Sequence, residues 1–162
     1  MKLGTETGSF YNHLYSGCPT LPEVGKGATK LYWTDREPYD VVWVSQNKKE
    51  CLIRPCLVTW DKEKGGGMGH QNWIIEPDHS AILTKIVFRH NRWKQVIEER
   101  CFTEEAEAKY NALYEDDQLS PTERNAVIQA MYVDESNHRL VTRYNRLNII
   151  FGVQMKYHDW EF

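Results

Sequence analysis

The stretch Leu147-Asn148-Ile149-Ile150-Phe151-Gly152-Val153-Gln154-Met155-Lys156-Tyr157 decides how the chain is read. Apolar side chains at 147, 149, 151, 153, 155 and 157 alternate with Asn148, Ile150, Gly152, Gln154 and Lys156, and a period of two places one row on each face of a strand. A strand over Leu147–Met155 means that whatever precedes it returns to a sheet.

What precedes it has a different period. Ala106, Tyr110, Leu113 and Tyr114 fall at i, i+4, i+7 and i+8, with Thr103 as N-cap and Glu104 and Glu105 in the first turn, where the helix dipole favours acids. Ser120-Pro121-Thr122-Glu123 is a capping box with proline at the first helical position, followed by Ala126, Val127, Ala130 and Met131, read as one face. Helices over Thr103–Tyr114 and Ser120–Tyr132 therefore interrupt the strands, and a polar turn at Asp134–Asn137 ends the interruption.

Further upstream the strand signals dominate. Lys30–Trp33, Tyr39–Ser45 and Cys51–Trp60 form a meander through turns at Thr34–Pro38 and Gln46–Lys49, and Asn72–Glu76 is a short strand. Ile82–Phe88 and Trp93–Glu98 flank Arg89-His90-Asn91-Arg92, a tight turn in which Asn91 takes the left-handed conformation. Pro55 marks an edge or a bulge, because proline cannot donate to a ladder. Asp61–Gln71, with Gly65, Gly66, Gly67 and Gly69, reads as a loop, and residues 1–29 as an irregular arm anchored by Phe10, Tyr11, Leu14 and Tyr15. The expected fold is α+β, mainly β: a small bent antiparallel sheet or SH3-like barrel over 30–101 and 133–162, carrying a two-helix insertion over 102–132.

Composition narrows the function classes. A chain of 162 residues with 41% hydrophobic side chains can hold one core without staples, and a net charge of −3 leaves no whole-chain attraction to nucleic acid or an anionic membrane. Cys18, Cys51, Cys56 and Cys101 show no CxxC pair and are expected to be free thiols. With neither a secretory leader nor an 18-residue apolar run, a cytoplasmic protein without a membrane partner is expected. The 12% of aromatic residues, six of them Trp, is read as core more than as a stacking surface.

Motifs for chemistry are missing. Gly25-Lys26-Gly27-Ala28-Thr29 fails the spacing of a phosphate-binding loop and precedes a strand instead of a helix. Cys51 and Cys56 fall on opposite faces of a strand, no histidine has zinc-ligand spacing, and no nucleophile elbow is present, so no metal, no cofactor and no enzyme are expected. Two anion-friendly patches remain: Arg89, His90, Arg92, Trp93 and Lys94 at a hairpin tip, and Arg139, Arg143, Tyr144, Arg146 and Lys156 in the last quarter. Guanidinium groups beside rings suit a phosphate-plus-base ligand, which makes Arg143, Tyr144 and Arg146 candidate binding residues. The rival reading pairs the same arginines with the acidic helices, at Glu104, Glu105, Glu107 or Glu115–Asp117, as an internal or subunit–subunit charge seam.

Gly4-Thr5-Glu6-Thr7-Gly8-Ser9-Phe10, Asn12-His13-Leu14, Pro22-Glu23-Val24-Gly25, Gly27-Ala28-Thr29 and Trp33-Thr34-Asp35-Arg36, with Lys156-Tyr157-His158-Asp159 and Phe162, resemble a group of short bacteriophage and prophage proteins. The resemblance implies a phage origin and the host cytoplasm, and it implies no chemistry. Within it, Asp35 is suited to accept from turn amides and Arg36 to lie over a ring or meet a ligand, while Asn12 and His13 are polar side chains on an arm, placed there for contact. The expectation is a non-enzymatic binding protein, acting against host defence, that sequesters an anionic nucleotide-like ligand through Arg143, Tyr144, Arg146, Arg36, Asn12 and His13. The alternatives are an inhibitor that grips a host or phage protein through the helical insertion, and a module that contacts nucleic acid. A homo-oligomer is left open.

Overall fold

A computed structural model describes residues 20–64, 71–116 and 118–158. The protein is mainly β, with eight antiparallel strands and two α-helices among the described residues: β1 (Gly27–Leu31), β2 (Arg36–Val44), β3 (Glu50–Trp60), β4 (Trp73–Pro77), β5 (Thr84–Arg89), β6 (Arg92–Phe102), α1 (Glu104–Glu115), α2 (Pro121–Val133), a 3-10 turn (Glu135–Asn137), β7 (His138–Arg146) and β8 (Ile149–Phe151). The sheet order is β7-β6-β5-β3-β2-β1-β8, and β4 pairs with β3. The α+β, mainly β class and the bent antiparallel sheet are as the pattern predicts. Among the described residues no helix is long and apolar enough to cross a membrane.

The chain divides into two compact units, one of residues 1–96 and 144–162, the other of residues 97–143. In the first, the strand expected over Leu147–Met155 is corrected: its ladder covers only Ile149–Phe151, because Gly152 turns left-handed at φ 85° and ends it. The chain beyond runs on as an extended segment held by the Thr29 hydroxyl, which donates to the Val153 carbonyl at 2.8 Å and accepts from the Met155 amide at 3.0 Å. At Leu147 and Asn148 the sheet bends back on itself. The Leu147 amide donates to Trp93 of β6 and the Asn148 carbonyl accepts from Leu31 of β1.

The core follows from that bend. Ala28, Val41, Cys51, Ile53, Ile86, Leu147 and Phe151 form one buried cluster drawn from β1, β2, β3, β5, the Leu147 junction and β8. Apart from Cys51 and Phe151 it is aliphatic, with Tyr39 and Trp93 packed against it, so the reading of the aromatic residues as core holds only in part: Trp33 and Trp43 are exposed, and Trp60, Trp73 and Trp93 are half-buried. The interior is filled mainly by small and aliphatic side chains around the Phe151 ring.

Turn chemistry shifts several boundaries. Tyr32 donates to the Asp35 carbonyl, closing a turn that ends β1 at Leu31, so the strand begins at Gly27 and not at Lys30. His90 and Asn91 both have positive φ, the left-handed pair a two-residue hairpin needs. The bulge lies in β2, between Val41 and Trp43, and not at Pro55. Pro55 instead pairs with Tyr39 at the point where the other edge of β3 changes partner, from β5 at Ile53 to β4 at Cys56, so its missing N–H falls in a gap between ladders.

The second unit holds both helices. The Thr103 side chain caps α1 by accepting from Ala106, and Ser120 and Glu123 close the capping box of α2. Phe102 ties strand to helices, with its ring 5.7 Å from Tyr110, 4.8 Å from Tyr132 and 4.9 Å from His138. The inward face of α2 is Ile128 and Met131, which corrects the expected face: Ala126, Val127 and Ala130 are exposed. β7, read from sequence only as a basic stretch, is a nine-residue strand, largely exposed along its length.

Candidate ligand groove

In the first unit, the turn before β2, the start of β4 and the segment after β8 meet around a cavity of about 470 Å³. Arg36, the first residue of β2, exchanges backbone hydrogen bonds with Tyr157 at 3.0 and 3.2 Å. Its guanidinium lies 5.2 Å from the Tyr157 ring centre, within cation–π range. Across the opening stands Trp73, braced edge-on against Trp60 at 4.8 Å, with the Lys156 ammonium 6.0 Å from its ring.

Amides lock these pieces together. The Gln71 carboxamide accepts from the Trp73 indole at 3.1 Å and from the His158 amide at 2.9 Å, and it donates to the His158 carbonyl. His158 and Asp35 lie 3.5 Å apart at the same end. Asp35 also supplies the carbonyl that closes the turn leading to Arg36. The groove thus offers two cations, two rings and the amides of Gln71, Asn72 and Gln154, with no carboxylate lining it among the described residues.

Behind it lies the most chemically suggestive cluster of the fold. Gln154 Nε2 donates to Asp40 Oδ1 at 2.7 Å, to Cys56 Sγ at 3.2 Å and to the Tyr39 carbonyl at 3.3 Å, two hydrogens shared among three acceptors. Cys56 donates to Asp40 at 3.7 Å, and Arg54 stands 3.7 Å from Asp40 and 3.0 Å from His79. A thiol, a carboxylate and an imidazole could resemble a catalytic set. Burial, reinforced by the Asp40 charge and hydrogen bond, pushes the Cys56 thiol up to about 12, which favours the protonated thiol that donates to Asp40. The cluster is a brace that holds Gln154 in place.

The residues singled out from sequence do not converge. Asn12, His13 and Cys18 lie outside the described residues. Arg36 is at the groove. Arg143, in the second unit, is ion-paired at 2.8 Å with Glu99, on strand β6 and not on the acidic helices of the charge-seam reading, while Arg139 reaches Glu104 of α1 at 3.9 Å. Tyr144 carries the Arg89 guanidinium 4.4 Å from its ring. Arg143 and Arg146 are three apart on one strand, which puts them on opposite faces. Sequence reasoning missed Trp73, Tyr157, Gln71 and Gln154 as groove residues. The only signal was the polar row Gln154 and Lys156 alternating with Met155 and Tyr157. The chain matches no protein-family model, no curated protein and no solved structure at a significant level.

Proposed function

We propose that the protein is a non-enzymatic binding protein whose ligand is a small, anionic, ring-bearing molecule of the nucleotide type, held in the groove between Arg36, Trp73, Lys156 and Tyr157. The observation that carries the reading is the pairing of each cation with a ring in one cavity that no carboxylate lines among the described residues. Arg36 and Lys156 meet phosphate, and Trp73 and Tyr157 offer faces to a base. At about 470 Å³ the space is within the range of small-molecule sites, about 300–1,000 Å³. The likeness to short phage proteins supports a setting in an infected bacterial cytoplasm, where withholding a nucleotide signal would counter host defence.

A thermal-shift panel of mono-, di- and cyclic nucleotides tests this directly. A ligand present at 100 times its Kd stabilises by about 2.7 kcal/mol, a shift of several degrees. Arg36→Ala/Lys156→Ala should abolish the shift with little change in the unliganded Tm. A panel with no responder, or a response that survives the double variant, overturns the reading.

A second reading has its own observation. In the helical unit the large apolar side chains Val127, Tyr132, Val133 and Leu140 are exposed, Val133 at 79% and Leu140 at 76%. We propose these side chains as the surface that would grip a host or phage protein if the groove proves empty. A Val127→Glu/Val133→Glu variant that still retains every protein the wild type captures from infected cells would remove it.

A further inference from the structure

We propose a second binding site, independent of the groove, for a small amphipathic carboxylate, meaning an apolar ring or short acyl chain that ends in one carboxylate. The site is a cavity of about 360 Å³ in the first unit, between the β2–β3 turn, the β5–β6 hairpin and Leu21. Its walls are apolar. Phe88 and Trp93 face each other across the β5–β6 ladder with ring centres 5.5 Å apart, and Leu21 closes the third side. Lys48 and Lys49 also line it, and neither is ion-paired among the described residues, whereas Lys85 is engaged by Glu50 at 3.1 Å. Among the described residues no carboxylate lines the cavity.

The cavity is built before any ligand arrives. Asn47 Oδ1 accepts from the Ser45 hydroxyl at 2.8 Å and the Lys49 amide at 3.0 Å, and the Lys49 carbonyl accepts from the Phe88 amide at 2.7 Å, which fixes the turn against the hairpin. Trp93 is backed by Phe151 of the core at 5.1 Å. Leu21 is positioned by Pro22, one of the most completely buried side chains. Leu21 and Phe88 are nevertheless 56% and 37% exposed, so apolar surface stays wet in a site already shaped to cover it. An apolar body removes that surface from water, and a single anionic end meets two unpaired ammonium groups. A cationic or uncharged amphiphile of the same length gains only the first term.

Decanoate, kept below its micelle concentration, is the probe, with decylamine and decanol as comparators and calorimetry as the readout. The expected result is one saturable decanoate site, no saturation by decylamine, and decanol weaker than decanoate. Lys48→Asn/Lys49→Gln, with Asn chosen because Lys48 has φ 56°, should weaken decanoate at least about five-fold without lowering Tm. Trp93→Phe should keep the site and remove most of the fluorescence change on binding. Arg36→Ala/Lys156→Ala should leave decanoate affinity unchanged, so that failure of the groove and failure of this site are told apart. Equal binding of decanoate and decylamine, an affinity indifferent to the lysine pair, absence of saturation, or a dimer of the chain that excludes decanoate would each overturn the proposal.

Discussion

Gly27 offers the sharpest test of how the groove is braced. It lies in β1 opposite Asp40, with no left-handed backbone to explain it, and a Cβ built there would sit 2.1 Å from Cγ and 2.8 Å from Cδ of Gln154. The glycine is there for space. Gly27→Ala must expel the Gln154 side chain, and two costs follow. Overpacking in a filled site costs about 1–3 kcal/mol. Losing the hydrogen bond to the Asp40 carboxylate, the shortest of the three at 2.7 Å, removes about 1.5–3 kcal/mol more if the site is dry, and less because Asp40 keeps Arg54 and Cys56. A loss of about 3 kcal/mol lowers the Tm of a chain this size by roughly 6–12 °C. Gln154→Ala alone forfeits only the bonds, about 1–2 kcal/mol. In the Gln154→Ala background Gly27→Ala should cost less than about 1 kcal/mol, since what then remains is the Gln154 Cβ at 3.2 Å. Denaturant melts of the four proteins give the coupling. Losses that simply add, or a Gly27→Ala protein as stable as the wild type, would refute the close-approach argument.

Other outcomes follow from single contacts. Arg143→Ala or Glu99→Ala should change stability by no more than about 1 kcal/mol, because the pair is exposed, and should leave nucleotide affinity untouched; a nucleotide response lost with Arg143 would return that residue to the ligand. Phe102→Ala removes the ring contacts that join β6 to both helices and should destabilise the helical unit by about 2–4 kcal/mol, read as lost amide protection over 104–133. The Ser120 hydroxyl and amide hold the Glu123 carboxyl below its ordinary range. A depressed carboxyl pKa contributes stability that is full above the unfolded value and lost as pH falls through the folded one, so acid should fray α2 first, and Glu123→Gln should flatten that dependence. Burial pushes the Cys51 thiol up to about 12, like Cys56, so both should resist a thiol reagent at neutral pH and react once denatured. Fast native labelling at either position would contradict the placement of both side chains.

How much of this could be read from the chain depends on what each signal measures. The capping box at Ser120 and the Thr103 cap were legible because they are local chemistry, a side chain closing on an amide three residues away. The hairpin at His90-Asn91 was legible for the same reason. The inner face of α2 was not: Ala126, Val127 and Ala130 are apolar by composition, yet the helix buries Ile128 and Met131, and nothing in a single helix says which of two apolar stripes has a neighbour.

The candidate site fails and succeeds on the same ground. β7 was missed because His-Arg-Leu-Val-Thr-Arg-Tyr-Asn-Arg has no apolar alternation, and it has none because the strand is largely exposed; a period of two reports burial of one face, not extension. Without the strand, Arg143 and Arg146 look like a pair. With it they point to opposite faces, and no single small ligand can be gripped by both from one side of the sheet. The sequence alone reads Arg36 as a residue that lies over a ring or meets a ligand. Only folding brings that ring, Tyr157, from the far end of the sequence and adds Trp73 and Lys156 from two other segments. A residue type predicts the kind of partner it takes, a guanidinium over an aromatic face. Which face it takes is a property of the sheet's bend at Leu147 and Asn148, where the last extended segment is led back to β1 and β2. A substitution there, such as Asn148→Pro, should therefore disturb the groove without touching any residue that lines it.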